Sequence, residues 1–114
     1  MTELLPTWQR EPCPRWCIRD HDEDDIALDR YHQGSATTVP VLMSTDSEEP
    51  RSATYVPVDL AIRVGRYAGE LIDWVAIEPV RLTAPRLVLT AESAARLAEQ
   101  VTAQLAEHVA LDQA

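Results

Sequence analysis

The strongest alternation of apolar and polar positions runs from Tyr55 to Val64. Val56, Val58, Leu60, Ile62 and Val64 recur at every second residue, with Asp59 and Arg63 between them. A period of two places the aliphatic set on one face of a strand and the charged pair on the other. Pro57 lacks a ladder N–H, so the strand is expected to begin at a sheet edge. Thr38 to Met43 is a second, shorter strand candidate, and Pro40 favours an edge for it too. The polar stretch from Ser44 to Thr54 contains Pro50 and reads as a loop.

Gly65 to Glu70 supplies two glycines for a turn, and Leu71 to Ile77 returns as a strand, which predicts a hairpin. Both faces of that return strand are apolar: Leu71, Val75 and Ile77 on one, Ile72, Trp74 and Ala76 on the other. A central position, a cover from the N-terminal residues or a second copy of the chain would explain the pattern. Pro79 ends the run, and Arg86 to Leu89 adds a short strand. Thr90 then suits a helix N-cap, with Glu92 in the first turn where the helix dipole favours an acid. Ala94, Leu97, Ala98, Val101, Leu105 and Val109 follow at spacings of three and four, one apolar helical stripe. The expected fold is therefore α+β, a mainly antiparallel sheet of three to four strands. The helix should lie across it, with Leu97, Val101 and Leu105 against the valine face of the 55–64 strand.

Residues 1–12 contain Pro6, Trp8 and Pro12 and read as an irregular arm. A single domain is expected over 13–109, including a Cys/His lobe at 13–34, followed by a tail at 110–114. Six acids lie between Asp20 and Asp29, so the lobe has little apolar surface of its own to bury. A crosslink would help to hold it.

The whole chain has 114 residues and a formal net charge of −9, and all ten of its bases are Arg. That excess of acid argues against nonspecific nucleic-acid binding, which depends on Lys and Arg displacing counterions. A protein partner with a basic surface suits it better. No apolar run approaches the roughly 20 residues of a membrane span. No signal-peptide pattern opens the sequence, so the cytoplasm is the expected compartment. Reduced cysteines are the rule there.

The chemistry is concentrated in Cys13-Pro14-Arg15-Trp16-Cys17-Ile18-Arg19-Asp20-His21 and in His32. Two thiols and two imidazoles match zinc's preference for four nitrogen or sulfur ligands in tetrahedral array. Cys13, Cys17, His21 and His32 are the candidate ligands, with Asp20 placed to orient an imidazole. The interval between His21 and His32 is longer than in common zinc fingers. The same residues also admit an unmetallated pair of cysteines with ordinary histidines, or a Cys13–Cys17 redox couple. Trp16 and Trp74 read as packing residues or as anchors for a partner.

Other chemistries fail on spacing. Asp20, Asp22 and Asp24 open like a calcium loop, but Asp25 stands where its glycine should be and Tyr31 where its glutamate should be. His21-Asp22-Glu23 resembles the His-x-Glu of zinc deaminases, whose cysteine pair follows that motif rather than preceding it. Phosphate-binding loops, nucleophile elbows and metalloprotease helices have no counterpart.

The Cys-Pro-x-Trp-Cys-x-x-Asp-His segment, the later His32 and the Leu-Thr-Ala-Glu-Ser-Ala-Ala-Arg-Leu-Ala helix resemble a family of small actinobacterial and actinophage proteins. That family is an uncharacterised domain family, and the likeness extends from about Pro12 to Val109. The resemblance implies an actinobacterial setting and one unitary Cys/His cluster. It implies no reaction. The expected function is a non-enzymatic, zinc-stabilised interaction or regulatory module, with a homodimer as one arrangement. The alternatives are a nucleic-acid-associated regulator using the zinc knuckle, near which Arg10, Arg15 and Arg19 cluster, and a metal- or thiol-dependent enzyme.

Overall fold

The computed structural model describes residues 5–81 and 86–113. The first four residues of the expected arm and the last of the expected tail lie outside the described residues. Five strands form one antiparallel sheet: β1 (Tyr31–Gln33), β2 (Thr37–Ser44), β3 (Tyr55–Tyr67), β4 (Trp74–Pro79) and β5 (Leu87–Thr90). Among the described residues one α-helix, α1 (Ala91–Asp112), follows β5 without an intervening residue. No helix among the described residues is long and apolar enough to cross a membrane.

β3 organises the sheet because it is the longest strand. On one side it pairs with β4, Gly65 opposite Trp74. On the other it pairs with β2 and then β1, which lie end to end along the same edge. The break between them falls at Gly34, whose N–H donates to the Val64 carbonyl at 2.9 Å. Pro40 lies on the edge strand β2, and Pro57 on the part of β3 that precedes its pairing with β4, which begins at Leu60, so each has an open flank for its missing N–H.

Two expectations need correction. The sheet has five strands rather than three to four, because residues 31–33 of the lobe form β1. The strand expected from Leu71 begins at Trp74. Leu71 is 95% exposed, and the link before Trp74 is tied by Asp73, whose carboxylate takes the Arg66 Nε–H at 2.5 Å.

The packing of α1 also differs from expectation. Leu97, Val101 and Leu105 do not meet the valine face of β3; Val101 is 50% exposed and Leu105 59%. Contacts of α1 with the sheet concentrate at β4 and β5. The junction accounts for it: strand passes straight into helix, whereas a helix that folds back on its strand is commonly joined by a loop of about 2–6 residues. The helix start is also stitched in place. Thr90 Oγ1 accepts the Ser93 N–H at 3.2 Å, and the Ala91 N–H donates to the Asp73 carbonyl at 2.9 Å.

One sheet face therefore carries a continuous aliphatic surface. Cross-strand register puts Val39, Val41 and Met43 of β2 beside Leu60, Val58 and Val56 of β3. Val75 and Ile77 of β4 continue it, followed by Leu89 and Leu87 of β5. These residues are half-buried or exposed. On the opposite face Ala61 and Ala76 are buried, and Trp74 packs across Gly65 and beside Tyr31, with ring centroids 6.3 Å apart.

Candidate metal centre

Local turns assemble the site. The Cys17 N–H donates to the Pro14 carbonyl at 3.0 Å, closing a tight turn through Arg15 and Trp16 that brings the two cysteines to one side. The next residue, Ile18, donates its N–H to the Gln33 carbonyl at 2.9 Å, which lays the cysteine turn against β1. His32 sits in the middle of β1, opposite Arg66 of β3, and is buried. His21 reaches the same point from the acidic loop. One ligand atom from each of Cys13, Cys17, His21 and His32 lies within 4.8 Å of all the others.

The four are close enough to hold a metal ion. A tetrahedral zinc with the usual bond lengths would set sulfur and nitrogen about 3.6 Å apart along an edge. Cys17 Sγ and His21 Nε2 are separated by 3.6 Å. Both cysteines are free thiols, Cys13 exposed and Cys17 half-buried. The two imidazole rings stand edge to face at 5.1 Å between centroids. Each retains a buried Nδ1 with no hydrogen-bond partner. Such an orphaned nitrogen is costly unless satisfied; His21 faces Cys17 through Nε2, so its Nδ1 would need a water rather than the ion.

The electrostatics favour a cation. Burial raises the Cys13 thiol above its ordinary value of 9.0; an N–H from Gln9 opposes that shift, and the Cys17 sulfur adds to it. Burial also pushes His32 below its ordinary value of 6.5, with His21 and Arg66 adding to the shift and Glu11 opposing it. His32 is thus neutral near pH 7, the form that binds metal. A divalent ion would reverse the penalty on the Cys13 thiolate.

Residues the sequence reading left out of the site complete it. Buried Gln9 donates from Nε2 to Cys13 Sγ at 3.3 Å and to the Glu11 carbonyl at 2.9 Å. Trp8 packs edge to face on His21 at 5.6 Å and donates its indole N–H to the Asp22 carbonyl at 2.8 Å. Thr7 clamps the Glu23 carboxylate through its amide at 2.6 Å and through its hydroxyl. The described part of the expected arm is therefore one wall of the lobe. Its prolines hid this, because they mark irregular backbone without saying what that backbone packs on.

Asp20 is exposed, and no hydrogen bond joins it to either imidazole among the described residues. Gln9 is the side chain that contacts a ligand atom. Trp16 stands edge to face with His32 at 6.5 Å, with the Arg66 guanidinium 5.6 Å over its ring. Trp74 is likewise engaged inside the chain, on Gly65 and Tyr31. Arg19 lies 4.1 Å over the Tyr31 ring and so braces the lobe against β1.

Fold and site together define a small antiparallel sheet with one C-terminal helix and a Cys/His cluster capable of holding a metal. The chain belongs to the family described as a domain of unknown function, DUF6907, whose model matches residues 2–114. No curated protein and no solved structure matches it.

Proposed function

We propose that the chain is a non-enzymatic protein-interaction or regulatory module whose N-terminal lobe is stabilised by a structural zinc ion. The observation that carries this reading is the convergence of four N/S ligands from one chain within 4.8 Å. Four protein ligands fill a tetrahedral shell and leave no position for a substrate or an activated water, which is the mark of structural rather than catalytic zinc. Free thiols suit a reducing compartment such as the cytoplasm. The exposed acids Asp20, Asp22 and Asp24 suit a partner with a basic surface, and the net charge of −9 disfavours nucleic acid.

Metal analysis of protein purified under reducing conditions is the test. About one zinc per chain is expected, with sulfur and nitrogen ligands at about 2.3 and 2.0–2.1 Å by X-ray absorption. Cys17→Ser should lose the ion and loosen residues 5–34 in hydrogen exchange while β3 and β4 stay protected. Protein that carries no metal, and gains no protection when zinc is added, would sink the proposal.

A further inference from the structure

The apolar sheet face and the apolar stripe of α1 are two large surfaces on one chain, and neither is covered. Domains are built from at least two packed layers, and this chain presents one sheet and one helix that do not stack. The described residues include no large side chain that is fully buried. The chain exposes 9424 Å², against about 6,300 Å² expected of a folded 12.8 kDa monomer. Its radius of gyration is 18.6 Å, against about 13 Å for a compact domain of this length.

We infer that a second copy of this chain supplies the missing layer, each copy laying its helix α1 on the apolar sheet face of the other. The inference rests on the reading of the chain as an interaction module and names the partner for its apolar surfaces. The size of the excess is the first argument. About 3,000 Å² of surplus surface per chain, about 6,000 Å² for a pair, is more than enough for an obligate dimer interface of about 2,000–5,000 Å² in total, and well beyond a transient contact. The second argument is the junction already described. With no residue between β5 and α1, and with the helix start capped by Thr90 and tied to Asp73, the helix is held at the β4–β5 side and does not turn back over the apolar face of its own sheet. Its stripe can meet an equivalent sheet face only on another molecule.

Shape and charge agree. The helix has 22 residues and is about 33 Å long, within the span of about 43 Å of the 13-residue β3. Both surfaces are free of charge along their centres: Val58, Leu60 and Ile62 on the sheet, Leu97, Val101 and Leu105 on the helix. The acids that give each copy its charge of −9 would stay outside the contact, and a basic partner would find no carboxylate within it. Because helix meets sheet twice, once in each direction, the arrangement closes on a two-fold axis and leaves no open end.

The test uses metal-loaded full-length protein. Light scattering at micromolar concentration should give twice the chain mass. In a dimer prepared from equal parts of isotope-labelled and unlabelled chains, filtered NMR spectra should connect Leu97, Val101 and Leu105 methyls to Val58, Leu60 and Ile62 methyls between chains. Val101→Asp should raise the dimer dissociation constant by about 100-fold or more, since it buries an unpaired charge in the contact. A monomeric parent would overturn the inference. Helix-to-helix contacts between chains, or helix-to-sheet contacts within one chain, would overturn it too. Zinc content of the same samples separates the two readings: a dimer without metal breaks only the zinc proposal, and a zinc-loaded monomer breaks only this one.

Discussion

The lobe at residues 5–34 and the sheet-and-helix portion that follows are held together in opposite ways. The lobe has little aliphatic surface and relies on directed contacts: tight turns, the Thr7–Glu23 clamp, Gln9 on a thiol, and arginines stacked over Trp8 and Tyr31. The remainder has abundant aliphatic surface and few specific side-chain contacts across its faces. A region without hydrophobic content needs a crosslink, and a region without a second layer needs a partner. Each portion lacks what the other has in excess, so different perturbations should take them apart.

Acid should separate them most sharply. His32 has a folded-state value depressed below 6.5, so its contribution is complete above about pH 6.5 and disappears as pH falls through the folded value. Protons compete for the ligand sulfur and nitrogen atoms in the same direction. Glu23 is held below its ordinary 4.5, first by the Thr7 hydroxyl and then by the Thr7 amide, so its clamp fails at lower pH still. Metal release should therefore come first on acidification and loss of the arm second, with β3 amides still protected during the first step. A titration followed by metal release and hydrogen exchange would break the comparison if sheet and lobe opened together.

A smaller effect should come from the back of the sheet. A methyl group at Gly65 would overlap the Trp74 ring, so Gly65→Ala must displace that ring from the aromatic cluster it forms with Tyr31 over β3 and β4. Overpacking of this kind costs about 1–3 kcal/mol. The loss should show as a lower melting temperature with the zinc stoichiometry unchanged.

If the proposed zinc site holds, Gln9→Ala should weaken its affinity by about 10-fold, the low end for removing a side chain that supports a metal ligand. Asp20→Asn should leave the affinity unchanged. Competition with a chelator of known affinity measures both, and a larger loss from Asp20→Asn would restore the role first expected of that residue.

Much of this was legible in the residues. The alternation from Val56 to Val64 located β3 and its apolar face, because a period of two is a local signal. The convergence of Cys13, Cys17, His21 and His32 was legible for the same reason, since two thiols and two imidazoles fall within twenty positions. What escaped was non-local. Nothing in the residues around Gln9 says that its amide meets the Cys13 sulfur beyond Pro12. The three residues of β1 are too few to show a period, and their strand character comes from β3. The position of the helix was more accessible than it looked, since Leu89 is followed at once by the cap residue Thr90, which leaves no room for a reversing loop. An apolar stripe identifies a surface to be covered, and chain connectivity decides which molecule covers it.

The placement of His32 on β1 sets a limit on portability. The other three residues of the cluster belong to a short stretch that could be lifted out whole, but His32 is positioned by pairing with Arg66, and the flanking backbone is tied by Gly34 to Val64 and by Ala68 to Arg30. The cluster is thus not a self-contained cassette in the manner of a zinc finger. A chimera that transplanted residues 5–34 would carry the donor atoms without the scaffold that aims the fourth. To graft the site intact, a protein engineer would have to bring along the far end of β3 as well.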